Sequence, residues 1–543
     1  MKSLKAKSLM LTKSTLFIII SSITFSAIVL LRTIELNYLS QDFVDYVAPV
    51  DALFNNPPGL YNTFWEIHPP MLYGIIFLWK LIMGSTMISF YFLYFIFLFL
   101  FLFFLSRIVM YYSNLKYTVI FQMILVTSII FSNLFSMFFP VELVGTTFFL
   151  IAIYILRSSI NITRVIFAFI LFSSAILIKE VYLFASIFVF IYLIMKQRYS
   201  RASVISGAVI GTMLVSFACI GLLLYSNSLS VYLHVLSYKR IAFPISLNAK
   251  LLEQIQLLPY FYLKHFSFAS NFPIVFIKIL LLTSLMAIIL LFVRNRLFAE
   301  KLVIFNIPNH VILLGFVLIG LAIGIVWQGK PLDGHYAISF VPFFVLFIFL
   351  TIFELAEHHE SKMGKRSLFL GLFLLIFFFT PNFEVVKNNM NIVYSNVANF
   401  RSLVLKFETD DSLKDRIVKS KGCLQVAYGW SSGSYYHYSG LTPCSKYFLV
   451  ELIALQPDFT SEFRRELLDN PPPVIVYNRA EADLDVNLFE KKVFPYKNIV
   501  ENCYKQDQNS VKLYYAKFSS KLEMKKCFSF ILQKSNIVIS ESH

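Results

Sequence analysis

Long apolar stretches separated by short charged loops occupy most of this chain. Residues 16–31, 87–105, 204–224, 273–293, 310–327 and 337–353 are each close to charge-free. A hydrocarbon core about 30 Å thick needs roughly 20 apolar residues as a helix, and these runs fit that length. The pattern predicts candidate spans near 14–31, 69–83, 86–106, 117–135, 137–156, 164–178, 181–196, 203–225, 273–293, 307–327, 336–354 and 367–381. One water-soluble core seldom holds so many runs of this length. From residue 382 onward the pattern changes. Charged and polar residues interleave with strand-like runs at 424–428, 474–477 and 511–515, and 461–468 reads as a short amphipathic helix with Phe463 and Leu467 on one face. The expected fold is therefore an all-α polytopic membrane bundle of about 11 to 13 spans followed by an α/β domain. The expected domains are a transmembrane part over 1–381, with an outer loop at 32–68, and a soluble part over 382–543.

Composition agrees with this division. Of 543 residues, 58% are hydrophobic and only 14% are charged, against nearly half and a quarter in soluble domains. The first apolar run follows Lys2, Lys5, Lys7 and Lys13 and has no small-residue cleavage pattern, so it reads as a retained span. Lys and Arg outnumber Asp and Glu by 47 to 31, a net charge of +16. In a soluble protein that excess would suggest nucleic acid. Here much of it lies in short loops at 107–116, 157–164, 196–201, 294–301 and 362–366, the positive-inside pattern of cytoplasmic loops near anionic lipid. With the N-terminus inside, residues 42–68, 138–142, 179–180, 226–271, 328–335 and everything after 381 fall on the outer face. One conflict arises. If 69–83 and 86–106 both cross, the basic loop 107–116 lies outside. Either one of them is half-inserted, the loop breaks the rule, or a helix is missing, for which 251–266 is the best interfacial candidate. About eleven crossings is the preferred count.

Four of the five cysteines, Cys423, Cys444, Cys503 and Cys527, lie in the tail, and Cys219 lies in a span. An extracytoplasmic domain with an even count permits two disulfides. Cys423 with Cys444 and Cys503 with Cys527 is the favoured pairing. Spacing cannot choose among the three connectivities, and free buried thiols are the alternative. None of the spacings is a zinc pattern.

The chemistry-bearing residues gather on the expected outer face. Ser40 can N-cap a short helix with Asp42 in its first turn, where the helix dipole favours a carboxylate. Asp42, Asp45 and Tyr46 then share a face, and Phe43, Val47 and Val50 turn toward lipid or bundle. This helix is too polar to span and should lie along the membrane surface. Pro57-Pro58-Gly59 forces a turn. Pro69-Pro70 opens the next helix, which leaves His68 at the water boundary. A solvated loop carboxylate is the plain reading of Asp42 alone.

An acidic residue followed four positions on by Tyr46, then Leu60-Tyr61, then His68-Pro69-Pro70-Met71-Leu72-Tyr73, resembles the first outer loop of GT-C glycosyltransferases. The resemblance is to the branch with lipopolysaccharide galacturonosyltransferases, aminoarabinose transferases and protein O-mannosyltransferases. Further stretches similar to that branch are Pro140-Val141-Glu142-Leu143, Gly334-His335-Tyr336 with Pro342, and Val426-Ala427-Tyr428-Gly429-Trp430 with Tyr435-Tyr436 and Ser445-Lys446-Tyr447-Phe448. The resemblance implies a catalytic acid in this loop and a polyprenyl-phosphate-linked sugar as donor. It departs at Phe43, where that branch often has a second acidic residue, and Asp45 is the possible substitute.

An acceptor hydroxyl needs a carboxylate to take its proton, and Asp42 is the favoured base, with Asp45 in reserve. The leaving lipid phosphate needs fixed cations. Lys179, at the outer end of a span, is the best candidate, although Glu180 could simply pair with it. Lys239 and Arg240 could reach the phosphate or be solvated. His335, Tyr336, Glu142, Glu66, His68 and Tyr46 are further candidate binding residues. No cofactor or metal is called for by these residues. The resemblance implies inverting sugar transfer from a polyprenyl-phosphate donor to a glycolipid, glycan or protein, expected at the outer face of the plasma membrane. A transporter or lipid-linked sugar flippase is the competitor, against which stand the lack of an internal repeat and the large tail.

Overall fold

Apolar length and local capping chemistry place the helices. The computed structural model describes residues 2–34, 41–55, 60–64, 68–130, 139–157, 161–195, 200–242, 309–327, 337–358, 391–396, 422–427, 432–447, 457–477, 489–491, 493–508 and 513–535. In chain order these form α1 (Lys2–Ile34), α2 (Gln41–Asn55), α3 (Met71–Met83), α4 (Met87–Tyr112), α5 (Leu115–Ile130), α6 (Val141–Leu156), α7 (Ile162–Ile176), α8 (Tyr182–Met195), α9 (Arg201–Tyr225), α10 (Leu229–Ala242), α11 (Asn309–Trp327) and α12 (Ala337–His358). The Thr86 side chain accepts from the Ser89 N–H and that of Asn161 from the Arg164 N–H, which starts α4 and α7. Pro70 and Pro140 stand at the N-caps of α3 and α6. Gly84, at φ +77°, ends α3 in a conformation that suits a residue without a Cβ.

Among the described residues, three helical stretches, Ser14–Thr33, Ile88–Tyr112 and Arg201–Tyr225, are long and apolar enough to cross a membrane. Met71–Met83, Val141–Leu156, Ile162–Ile176, Tyr182–Met195, Asn309–Ile325 and Ile338–Thr351 are apolar but shorter. These helices mark a membrane protein that is mostly helical, with a small sheet near its C-terminus. The expected spans 273–293 and 367–381 and the segment 251–266 lie outside the described residues.

The chain divides into two compact units, each built from separated stretches. The first comprises Met1–Leu36, Thr86–Ser216 and Ile245–Phe400, and the second Asn37–Ser85, Phe217–Pro244 and Arg401–His543.

Small residues and polar side chains hold the first unit, as expected where lipid removes the hydrophobic drive between helices. A Cβ on Gly320 would strike the Ala185 backbone, and one on Gly324 the Val181 carbonyl, so these glycines let α11 lie directly on α8. Ser21 on α1 donates to Gln122 on α5 at 2.9 Å, and Gln122 donates to Ser106 on α4 at 2.7 Å. Arg107 on α4 donates to Thr15 on α1 at 2.8 Å. The buried Tyr182 hydroxyl donates to the Glu142 carbonyl at 2.9 Å and meets Thr146 at 2.8 Å and Ser339 at 2.9 Å. That one phenol thereby ties α8 to α6 and α12.

In the second unit, β1 (Leu424–Val426), α13 (Ser432–Ser439), α14 (Pro457–Asp469), β2 (Val474–Val476), α15 (Tyr496–Cys503), β3 (Tyr504–Gln506), β4 (Leu513–Ala516) and α16 (Lys521–Lys534) follow α2, α3 and α10. The sheet order is β1-β2-β4-β3. β1 and β2 are parallel, with Leu424 opposite Val474, whereas β4 runs antiparallel to both β2 and β3. All of β2 is buried, so the sheet carries a side chain layer on each face. Phe463 and Leu467 of α14, Phe494, Tyr496 and Phe528 fill the core. Cys423 bonds to Cys444 and Cys503 to Cys527, the favoured pairing, with Cα separations of 4.9 and 6.1 Å. The free-thiol alternative fails for these four residues, while Cys219 remains a buried thiol.

Candidate functional site

Helix α2 is the expected acid-bearing helix, and its apolar stripe explains how it is held. Every residue from Phe43 to Val50 is buried, so α2 is enclosed on all its faces rather than only on the one predicted for Phe43, Val47 and Val50, and it is not a surface helix with a wetted acid face. Asp42 is its second residue; the Asp42 side chain, like Ser40, lies outside the described part. Asp45 and Tyr46 are buried, with Asp45 only 4% exposed. The Tyr46 ring lies 4.8 Å from that of His68 and 5.1 Å from that of Tyr73 on α3.

The turn after α2 completes an aromatic wall. Tyr61 sits at φ +55°, a region sparsely used by bulky residues. Its hydroxyl donates to the His68 carbonyl at 2.5 Å, and its ring packs against Tyr73 at 5.6 Å and Tyr232 of α10 at 5.2 Å. Asn62 donates to the Asn227 carbonyl at 2.8 Å, and the Ser228 hydroxyl donates to the Leu60 carbonyl. Contacts from several directions thus over-determine the unusual backbone at Tyr61.

A charged cluster absent from the sequence expectations closes the other end of α2. The Asp51 carboxylate forms an ion pair with Lys80 of α3 and a hydrogen bond with His437 Nδ1 of α13. The Lys80 ammonium also lies 4.6 Å from the centre of the Phe54 ring. Next to His437, Tyr436 sets its ring 5.4 Å from that of Phe64 and accepts the Val426 N–H at 3.1 Å. Burial pushes the Tyr436 phenol well above its ordinary range. A sequence signal for this cluster exists. Lys80 is a lone charge in the apolar run 71–83, and such charges are costly unless paired.

In the first unit Lys179 pairs with Glu142 at 3.1 Å, and both side chains are almost completely buried. Glu142 occupies the first turn of α6, where the helix dipole favours a carboxylate. Glu180 follows Lys179 and is half-buried. Lys239 and Arg240 are in the last turn of α10, with their side chains outside the described part. Glu66, His335 and Tyr336 lie outside the described residues. Tyr46 and His68 therefore come together in the second unit, with Asp45 next to Tyr46 in the chain, and Glu142 and Lys179 come together in the first.

A further polar group sits in the tail. Glu466 accepts from the Ser445 hydroxyl at 2.7 Å and the Lys446 N–H at 3.1 Å, and burial raises its carboxyl above the ordinary range. Burial also acts on Glu462, but hydrogen bonds from Lys446 and Tyr447 outweigh it and hold that carboxyl low. Among the described residues, no group of three or more His, Cys, Asp or Glu side chains is arranged to hold a metal ion. Comparison with known protein families, curated proteins and solved structures finds no match to this chain.

Proposed function

We propose that the protein is a membrane glycosyltransferase of GT-C type that moves a sugar from a polyprenyl phosphate to a hydroxyl of a cell-envelope glycolipid, glycan or protein. The observation that carries this reading is the construction of the outer loop. A solvated connector would leave its acids in water. Instead α2 is buried on every face from Phe43 to Val50, Asp45 is enclosed, Tyr61 is held in an unusual backbone, and Asp51 is bound by Lys80 and His437 from two other helices. A loop built with that much constraint suits a catalytic platform better than a linker.

In this reading Asp42 takes the proton of the acceptor hydroxyl, and the acceptor oxygen attacks C1 of the sugar. The bond from C1 to the phosphate oxygen breaks, and the polyprenyl phosphate leaves with the electron pair. Single displacement inverts the anomeric centre. Asp45 is the reserve acid. Lys179, fixed by Glu142, is the proposed phosphate-side cation, with Lys239 and Arg240 as further candidates. Tyr46, His68, Glu66, Glu180, His335 and Tyr336 are proposed to line the donor and acceptor sites. The C-terminal domain helps receive the acceptor.

The finer topology follows the same reading. α3 has 13 residues, and at 1.5 Å per residue it is only about 20 Å long, short of a bilayer core. Taking it as half-inserted removes the conflict at 107–116 and leaves eleven proposed crossings among the spans predicted from the sequence. The two disulfides support an oxidising compartment, hence a tail outside the plasma membrane.

Asp42→Asn tests the reaction. In reconstituted membranes it should lower transfer by about 10²–10⁴-fold, the usual contribution of a positioned base, while donor binding holds. Transfer at the wild-type rate would remove Asp42 from the mechanism. Mass spectrometry of surface glycolipids and glycoproteins with and without the gene should reveal one added hexose, pentose or uronate; no mass change in any fraction would sink the reading.

A further inference from the structure

We propose that His437 is a positioning residue for α2: the C-terminal part of the chain grips the acid-bearing helix through Asp51 and so sets where Asp42 stands. This rests on the proposed sugar transfer only for what Asp42 does, not for the grip itself. Helix α2 has 15 residues and an internal Pro49, which removes one helical hydrogen bond. A helix of that length is marginal on its own, so its position comes from tertiary contacts. Its apolar stripe supplies burial but little direction along the helix axis. A charged anchor supplies that direction.

Asp51 is that anchor. It stands near the C-terminal end of α2, where the helix dipole disfavours a carboxylate, so local helix stability does not account for it. Lys80 alone would balance its charge. His437 adds a second link, from a helix far along the chain, with its side chain only 9% exposed. Helix α13 is itself fixed on two sides by its neighbouring residue. Tyr436 accepts the Val426 N–H of β1 and packs edge-on against Phe64 beyond α2. The sheet, α13, Asp51 and α2 thus form one continuous mechanical path. Asp42 and Asp51 are nine residues apart, about 13 Å along a helix, so a tilt at the anchor moves the acid at the other end. Positional errors of that kind reduce turnover more than ground-state binding.

The test is hydrogen–deuterium exchange of the full-length protein in lipid nanodiscs, read on peptides from 41–55 and on the strands 424–426 and 474–476. His437→Leu should raise exchange in α2 by about tenfold or more and leave the strands protected. His437→Gln, whose amide can still donate to Asp51, should restore the protection. Where His437→Leu also loosens the strands, Asp51→Leu decides, because it leaves no acceptor for His437: faster exchange in both α2 and α13 supports the grip. Unchanged protection of α2 in His437→Leu or in Asp51→Leu overturns it. In transfer assays His437→Leu should lower kcat with KM for the lipid donor unchanged, and His437→Gln should recover kcat. An exchange effect without any transfer by the wild-type protein would reject the sugar-transfer reading and keep the grip.

Discussion

Tyr61 stands at φ +55° with its hydroxyl on the His68 carbonyl, and its environment must offset a backbone cost of about 1–3 kcal/mol. Tyr61→Phe keeps the ring contacts and removes that hydrogen bond. It should cost about 1 kcal/mol of stability, seen as a lower unfolding temperature in detergent. The Glu142–Lys179 pair is a stronger case because both partners are buried. Lys179→Met or Glu142→Gln alone should destabilise by about 3–5 kcal/mol, and the double change by clearly less, a comparison that a thermal double-mutant cycle reads directly. Glu466 gives a pH-dependent outcome. Burial raises its folded pKa, so its stabilising contribution is full below the ordinary carboxylate value and is lost as pH rises through the folded value. Chemical denaturation from pH 4 upward should therefore show a smaller loss of stability in Glu466→Gln than in the natural chain. Of these residues, Glu142 and Lys179 stood out in the sequence as acids and bases near span ends. Their pairing did not, because it joins α6 to the segment between α7 and α8.

Element positions were the most legible feature. The expected runs 86–106, 203–225 and 336–354 became α4, α9 and α12, because apolar length and the flanking Thr86 cap act locally. The strand-like runs at 424–428 and 474–477 contain β1 and β2, and 511–515 overlaps β4. β3 was not foreseen. Tyr504-Lys505-Gln506 lacks an apolar alternation, and pairing with β4 makes it a strand. Helix contact also turns on positions with no side chain at all. Gly320→Val or Gly324→Val should push α11 off α8 and destabilise the first unit by about 1–3 kcal/mol or more. Gly221→Ala, where a Cβ meets nothing within 4 Å, should be neutral or slightly stabilising. Unfolding of the purified variants in detergent separates the two outcomes.

For the molecule as a whole, the covalent links lie in the C-terminal region, where Cys423–Cys444 and Cys503–Cys527 close loops across sequence separations of 21 and 24. Bridges of this size contribute about 2–4 kcal/mol each. Reduction should lower the unfolding temperature of the sheet region while the first unit, whose described residues contain no disulfide, melts as before. Fluorescence or exchange measurements with and without reductant would record the difference. Chain order does not follow the compact units either. The stretch Asn37–Ser85 belongs with Phe217–Pro244 and Arg401–His543, so residues far apart in sequence share one compact unit.

The sequence by itself determined the membrane class and the positions of apolar helices such as α4, α9 and α12, because apolar length and capping are local properties. Tertiary structure alone decided that Asp51 meets Lys80 and His437, that Lys179 meets Glu142, and that Tyr182 joins three helices. Those pairings depend on which distant segments are buried together, and a buried charge or hydroxyl takes whichever complementary group the packing brings within reach.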